Sequence, residues 1–160
     1  LSCILMSQRN SLYVAVIGGY DCTPQQALLA EEVGERLAQA GAILVTGGRR
    51  GISEAACKGA KRCCGMTIGI LPSSDYREAN PFVDHAICSG IGEARNTIIV
   101  MTADGIIAFP GKFGTLSEMA FALLEKKPVV SLGSWDVSPL VTKVDSPQEA
   151  VEKILQEIRR

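Results

Sequence analysis

The stretch that decides the fold reads Gly-Ile-Ile-Ala-Phe (residues 105–109), followed directly by Pro-Gly-Lys-Phe-Gly-Thr-Leu-Ser-Glu (residues 110–118). The first five residues form an apolar run typical of a strand buried on both faces, and residues 116–124 have the pattern of a helix. A glycine-rich turn between a strand and a helix points unpaired N–H groups and the positive end of a helix dipole at one place. The sequence therefore predicts a bend that binds a phosphate or another anion.

Composition restricts the class of protein. The chain has 160 residues, which is enough for one domain with its own core, and we expect residues 1–160 to form a single domain with residues 1–10 as a tail. The formal net charge is −1, so no general attraction to nucleic acid or to an anionic membrane is expected. No apolar run reaches the roughly 20 residues that span a bilayer.

The six cysteines indicate a reducing compartment. None of them forms a Cys-x-x-Cys pair, and His85 is the single histidine of the sequence, so the pattern predicts no zinc or other metal site. Free thiols are typical of a cytoplasmic protein, which is the location we expect.

Strand and helix patterns alternate along the chain. This alternation predicts an α/β fold with a doubly wound, mainly parallel sheet and helices on both faces. The expected strands are residues 12–17, 42–45, 66–71, 86–88, 105–109, 129–132 and a short segment within 140–144. The expected helices follow Thr23-Pro24, cover 52–64, 92–102 and 116–124, and follow the capping box Ser146-Pro147-Gln148-Glu149.

Three glycine-rich bends follow predicted strands. Parallel strands end at the same edge of a sheet, and ligands of such folds bind there, so we expect the bends to converge. The predicted ligand-binding residues are Gly18 and Gly19 in the first bend, Gly47, Gly48, Arg49 and Gly51 in the second, and Gly111, Lys112, Gly114 and Thr115 in the third. The first bend does not match Gly-x-Gly-x-x-Gly, which argues against NAD as the ligand.

Glu118 has two interpretations. Thr115-Leu116-Ser117-Glu118 fits a capping box, in which Glu118 bonds back to the N–H of Thr115 and Thr115 is the N-cap. Alternatively, a carboxylate in the first turn of this helix faces the ligand cleft. The spacing slightly favours the cap, and both roles are compatible.

Arg95, Asn96 and Lys112 complete the candidate set. Arg95 lies at the start of a predicted helix, where a cation opposes the dipole unless it meets an anion or a carboxylate such as Glu118. Asn96 offers hydrogen bonds to a ligand. A surface arginine remains the alternative for Arg95, and Lys112 either binds the anion or points into solvent.

The segment 110–118 resembles the Pro-Gly-Gly-x-Gly-Thr-x-x-Glu motif of the LONELY GUY family, which has also carried a lysine decarboxylase label. Residues 46–52 resemble the glycine-rich turn after the second strand of that family, and Arg95-Asn96 falls where the family has its active-site arginine. The resemblance covers about residues 13–132. The length of the chain and the segment 92–96 are most similar to those of a bacterial branch of the family, which resembles the molybdenum cofactor carrier proteins.

This resemblance implies a Rossmann-like homodimer or homotetramer that binds a phosphate-bearing small molecule, either a nucleoside monophosphate or the molybdenum cofactor. Enzymes of the family split a nucleoside 5′-monophosphate into free base and ribose 5-phosphate. By the motif, Arg95 and Glu118 would form the catalytic pair, while Gly111, Gly114 and Thr115 would hold the phosphate.

Two departures from the motif keep several functions open. Lys112 replaces the second glycine, and Ser117 stands where many of the enzymes have the first glutamate of a pair. A carrier for a phosphate-bearing cofactor is the first hypothesis, and a phosphoribohydrolase is the second. A DNA-processing module is a weaker third, which the near-neutral charge disfavours. Lysine decarboxylation finds no support, since no lysine lies in a context that indicates a pyridoxal phosphate Schiff base.

Overall fold

Seven parallel strands form one sheet in the computed structural model, which describes residues 11–159, so the predicted tail lies outside the described residues. All six neighbouring pairs are parallel, which confirms the predicted sheet. The strands are β1 (Tyr13–Ile17), β2 (Ile43–Thr46), β3 (Thr67–Leu71), β4 (His85–Cys88), β5 (Gly105–Ala108), β6 (Val129–Ser131) and β7 (Thr142–Lys143).

The order of the strands is β4-β3-β2-β1-β5-β6-β7. The chain begins in the middle of the sheet, winds outward to β4, and then returns to the other side of β1 as β5. Neighbouring strands β1 and β5 are therefore the point at which the winding reverses, with Ile17 paired to Ala108 at their carboxyl ends. Crevices at such switch points are the usual ligand sites of doubly wound folds.

Five helices cover both faces, as the alternation predicts. They are α1 (Pro24–Gln39), α2 (Ile52–Arg62), α3 (Asn96–Thr102), α4 (Phe113–Leu124) and α5 (Pro147–Ile158). Side chains of β1 alternate between two cores: Val14 and Val16 pack in the core that contains residues of α1, α2 and α5, while Ala15 and Ile17 pack with α3 and α4. This is the pattern of a strand buried on both faces.

Helix capping follows the sequence closely at two of the five helices. The capping box of α1 is complete, since Thr23 accepts from the N–H of Gln26 and the Gln26 side chain accepts from the N–H of Thr23. At α5 the hydroxyl of Ser146 accepts from the N–H of Glu149, but the Glu149 carboxylate accepts from Asp145 rather than from Ser146. Only half of the predicted box therefore forms there.

Two predicted helix boundaries are wrong. The helix expected over residues 92–102 is a 3-10 turn, Gly92–Arg95, followed by α3. Helix α4 begins at Phe113 rather than at Leu116, so the last turn of the glycine bend is already helical. Both differences lie at the ligand edge of the sheet. No helix within residues 11–159 is long and apolar enough to cross a membrane.

Candidate functional site

A cavity of about 260 Å³ lies at the carboxyl ends of β1, β2 and β5, where the three glycine bends converge. Eleven of the thirteen predicted site residues line it: Gly18, Gly19, Gly47, Arg49, Arg95, Asn96, Gly111, Lys112, Gly114, Thr115 and Glu118. Gly48 and Gly51 do not line the cavity.

The first bend is joined by backbone hydrogen bonds to the third bend and to the start of α2. The N–H of Gly19 donates to the carbonyl of Pro110 at 2.9 Å, and the carbonyl of Gly19 accepts from Ile52 at 3.1 Å. The Gly19 amide is therefore already used by the protein and is not a donor for a ligand. Gly18 and Gly19 shape the wall of the cavity and hold the third bend in place.

The third bend presents free backbone donors to the cavity. Lys112 is the N-cap of α4 and makes no side-chain cap, so the predicted capping box of Thr115 with Glu118 is wrong. Within the described chain, no hydrogen-bond acceptor is paired with the amides of residues 111–115. The first N–H groups of a helix have no intrahelical acceptor and lie at its positive end, which favours an anion.

The Thr115 side chain occupies the space beside Gly111. A Cβ at Gly111 would overlap the hydroxyl and Cβ of Thr115, so the bend closes only around glycine. Trp135 fixes the same residue from outside, since its Nε1 donates to the Gly111 carbonyl at 3.0 Å. The Trp135 ring also stacks on Phe113, with centroids 6.2 Å apart.

Gly114 is the open position of the bend. A Cβ there would meet nothing in the described protein closer than Nδ2 of Asn96, at 3.7 Å. The fold thus tolerates a side chain at Gly114, although that side chain would project beside the free amides. Gly111 and Gly114 consequently differ in their surroundings: the fold has no space for a Cβ at Gly111, whereas it has space for one at Gly114.

The second bend holds Arg95 in place. The guanidinium of Arg95 lies against Gly47, where an added Cβ would be 2.5 Å from Nη1. Nη1 donates to the carbonyl of Ile70 at 2.7 Å. Gly48 and Gly51 have left-handed φ angles of 75° and 73° and shape this bend behind the cavity wall. The Gly48 amide donates to the Thr46 hydroxyl, so it is not available to a ligand.

Arg95 and Glu118 are both buried at the base of the cavity, with exposed fractions of 6% and 7%. Burial is the main cause of a lowered pKa for Arg95, and nearby Glu93 and Glu118 oppose that shift. Burial also raises the pKa of Glu118 to about 8, an effect that Arg95 opposes and Glu93 reinforces. Among residues 11–159, no donor is hydrogen-bonded to the Glu118 carboxyl. Glu118 therefore offers a proton or a negative charge to whatever enters the cavity.

Glu118 lies in the second turn of α4, not in the first turn as predicted, because the helix starts three residues before the predicted first residue.

Asn96 fixes α3 against α4: its Nδ2 donates to Ser117 Oγ at 3.1 Å and to the Gly114 carbonyl at 3.4 Å. Ser117, which stands in place of an acidic residue of the motif, donates to the same carbonyl at 2.7 Å.

Six further residues line the cavity: Ile17, Tyr20, Asp21, Arg50, Ser53 and Glu93. Of these, the sequence pointed only to Arg50, as an alternative to Arg49 in the second bend. The ring of Tyr20 lies between two guanidinium groups, 5.1 Å from Arg49 and 4.8 Å from Arg50. Arg50 also pairs with Asp21 at 3.3 Å. The single sequence signal for Tyr20 and Asp21 was their position directly after the first glycine bend.

The described cysteines are free thiols: Cys22, Cys57, Cys63, Cys64 and Cys88. Burial raises the pKa of the Cys57 thiol to about 11, which makes it an inert core residue. In the part of the chain that the structure describes, no group of three or more His, Cys, Asp or Glu side chains is arranged to hold a metal ion.

Two relatives match over most of this chain. An uncharacterised protein of Archaeoglobus fulgidus is 39% identical over 140 residues, which cover 88% of this chain and 92% of that protein. The cytokinin riboside 5′-monophosphate phosphoribohydrolase of Mycobacterium tuberculosis is 34% identical over 116 residues, which cover 67% of this chain and 62% of that enzyme.

Solved structures confirm the Rossmann-like fold. The molybdenum cofactor binding protein of Rippkaea orientalis has a TM-score of 0.88 and 37% identity, and the match covers 93% of this chain and 98% of that one. The molybdenum cofactor carrier protein of Chlamydomonas reinhardtii has a TM-score of 0.86 and 33% identity, with 94% and 99% covered. DNA processing protein A of Helicobacter pylori, at 22% identity and a TM-score of 0.70, shares the fold alone.

These similarities confirm the resemblance that the glycine-bend motifs indicate. A family model matches residues 11–158, and this chain belongs to the SLOG cluster4 family.

Proposed function

We propose that this chain is a single Rossmann-like domain that binds a phosphate-bearing, nucleotide-like small molecule and carries it, with the molybdenum cofactor as the leading candidate. The observation that carries the proposal is the third bend, where the amides of residues 111–115 are unpaired within the described chain and four of these residues, Gly111, Lys112, Gly114 and Thr115, line the cavity. A phosphoryl group placed there accepts several N–H bonds and lies at the positive end of α4.

The charges around the bend support an anionic ligand. Lys112 and Arg95 both line the cavity, and Arg95 is held rigidly by Gly47 and the Ile70 carbonyl. A cation that is fixed before the ligand arrives loses little conformational entropy on binding. The exposed Lys112 adds a mobile charge at the mouth.

A phosphate-bearing pterin suits this set of groups. The bend would take the phosphate, and the arginines would face the polar edge of the ring system. The two structural relatives that bind or carry molybdenum cofactor support this choice of cargo.

Binding is measurable through Trp135, the single tryptophan of the chain, because its indole N–H donates to the Gly111 carbonyl. We expect ribose 5-phosphate to change Trp135 fluorescence with a saturable dependence on concentration. Molybdenum cofactor should co-elute with the protein in gel filtration, detected by pterin fluorescence and molybdenum content. If neither compound binds, the proposal is wrong.

A phosphoribohydrolase is the second candidate, and the isolated carboxyl of Glu118 favours it. In that reaction water adds to C1 of the ribose of a nucleoside 5′-monophosphate, the N-glycosidic bond breaks, and free base and ribose 5-phosphate leave. Glu118 in its ionised form would stabilise positive charge on the ribose or orient the water. Arg95 would hold the substrate against it. The mycobacterial relative supports this alternative.

One assay separates the two functions. The protein is incubated with AMP, and the adenine and ribose 5-phosphate that are released are quantified. Cleavage should release the two products in equal amounts. If the chain is an enzyme, we expect turnover to fall by about 10²-fold or more in Glu118→Gln, because this is the usual effect of losing an acid–base group. Glu125→Gln, an exposed residue at the end of the same helix, is the control. If the chain is a carrier, we expect saturable binding of AMP and no release of adenine above the level of the blank.

We also propose that the chain is a homodimer or a homotetramer. Several large apolar side chains of α3 and α4 are exposed in the single chain, including Met101 (57%), Phe113 (78%) and Leu124 (72%). Exposed apolar groups on neighbouring helices are typical of an interface. Sedimentation equilibrium tests this, and a strictly monomeric protein at micromolar concentration would contradict it.

A further inference from the structure

Two buried side-chain polar atoms in the described chain have no hydrogen-bond partner, and both belong to arginines of the same cavity. They are Nε of Arg49 and Nε of Arg95. A guanidinium carries five N–H donors, and leaving them buried without acceptors is costly. Arg95 uses one of them on the Ile70 carbonyl, and Arg49 uses one on Glu93 at 3.1 Å. Both guanidinium groups thus retain donors without an acceptor in the described protein, and both arginines line the cavity.

Glu93 lies between these two arginines. One of its carboxylate oxygens contacts Arg49 Nη2 at 3.1 Å, and the other lies 3.8 Å from Arg95 Nη2. The longer distance is an ion pair without a hydrogen bond. Arg49 follows β2 and Glu93 follows β4, so this carboxylate connects two separate parts of the cavity wall.

Glu93 is held weakly. Its side chain is 63% exposed, and exposed ion pairs contribute little to stability. It lies in the short 3-10 turn Gly92–Arg95, and neither Gly90 nor Gly92 would meet another group within 4 Å if it carried a Cβ. The turn therefore has open space around it, and an incoming anion can take the place of the carboxylate.

The charge at the cavity leaves room for a second anion. Four cationic side chains line it, namely Arg49, Arg50, Arg95 and Lys112, against the acidic Asp21, Glu93 and Glu118. Burial raises the pKa of Glu118 to about 8, which favours its protonated form. Arg49 lies on the second bend, whereas the unpaired amides of residues 111–115 lie on the third.

We propose that Glu93 is a built-in substitute for a second anionic group of the ligand, which displaces it and binds to Arg49 and Arg95. This inference rests on the proposed phosphate site and narrows its ligand class. The ligand is a small molecule with two separate anionic groups: one phosphate for the amides of α4 and one further phosphate, carboxylate or equally anionic group for the arginine pair. A simple nucleoside monophosphate fills only the first position.

Two sugar phosphates test the inference at constant ionic strength. Ribose 5-phosphate has one anionic group, and ribose 1,5-bisphosphate has a second across the sugar ring. In the native protein we expect the bisphosphate to bind about tenfold more tightly, the scale of one or two charge-assisted hydrogen bonds. Equal affinities in the native protein would overturn the inference and leave the proposed phosphate site intact.

Variants assign the difference to these residues. Glu93→Gln removes the competing charge, so the preference for the bisphosphate should rise severalfold, whereas Arg49→Gln should abolish the preference. Glu125→Gln should leave both affinities as in the native protein. If Glu93→Gln tightens both ligands equally, Glu93 is only a repelling charge and the inference is wrong. Failure of both sugar phosphates and of molybdenum cofactor to bind overturns the proposed function together with this inference.

Discussion

The buried carboxyl of Glu118 predicts a stability that falls as pH rises. Its pKa is about 8 in the folded protein against an ordinary value of 4.5. Between these values the folded state holds a proton that the unfolded state has released, so stability declines from about pH 4.5 to about pH 8. Glu118→Gln cannot ionise and removes this decline.

The magnitude follows from the shift. A difference of about 3.5 pKa units, at about 1.36 kcal/mol each, sets an upper limit of about 5 kcal/mol for the destabilisation by ionised Glu118. We therefore expect Glu118→Gln to be more stable than the native protein at pH 9, by up to that amount. At pH 4.5 and below the two proteins should differ little, because Glu118 is protonated in both states.

Urea denaturation followed by circular dichroism at pH 4.5, 7 and 9 measures the effect. Glu125 is exposed, and the free energy of unfolding of the control variant Glu125→Gln should match that of the native protein. If attraction to Arg95 instead stabilised the ionised Glu118 carboxylate by more than burial destabilises it, Glu118→Gln would be the less stable protein at pH 9. That result would refute the assignment of Glu118 as a carboxyl dominated by burial.

Three further substitutions test the bends. Gly114→Ala should keep the thermal midpoint of the native protein, because its Cβ meets Asn96 only at 3.7 Å, yet weaken ribose 5-phosphate binding by at least about tenfold, as measured by calorimetry. Gly47→Ala places a Cβ 2.5 Å from Arg95 and should cost about 1–3 kcal/mol in urea denaturation by breaking its hydrogen bond; unchanged stability would contradict the packing. Lys112→Ala should lower phosphate affinity and its salt dependence, whereas the exposed Lys153→Ala should alter neither.

The fold was predictable because its signals are local and repeated. Apolar runs such as residues 105–109 mark strands that are buried on both faces, and the capping box of Thr23 marks the start of α1 without any tertiary information. The convergence of the three bends followed from the parallel arrangement alone, and eleven of the thirteen predicted residues line one cavity.

The start of α4 was missed because two local signals competed. Gly111 and Gly114 indicate a turn, and Thr115 with Glu118 has the spacing of a capping box. Tertiary packing decides otherwise: the Thr115 side chain fills the space beside Gly111, so Thr115 lies inside the first turn and cannot be the N-cap. Glu118 is consequently freed from a capping role and faces the cavity.

Residues that act across long sequence separations could not be predicted. Glu93 and Arg49 are 44 residues apart, and their pairing depends on how the turn after β4 approaches the bend after β2. Gly48 and Gly51 have the same residue type as the lining glycines, and only the three-dimensional path of the bend shows that they lie behind the wall.

The third bend is the site that we propose for a phosphoryl group of the ligand. Nuclear magnetic resonance of ¹⁵N-labelled protein during a titration with ribose 5-phosphate tests it most directly. We expect large, saturable downfield shifts of the amide protons of residues 111–115, together with a change at the Arg95 Nε–H. Shifts confined to other parts of the chain, or no shifts at millimolar ligand, would contradict it.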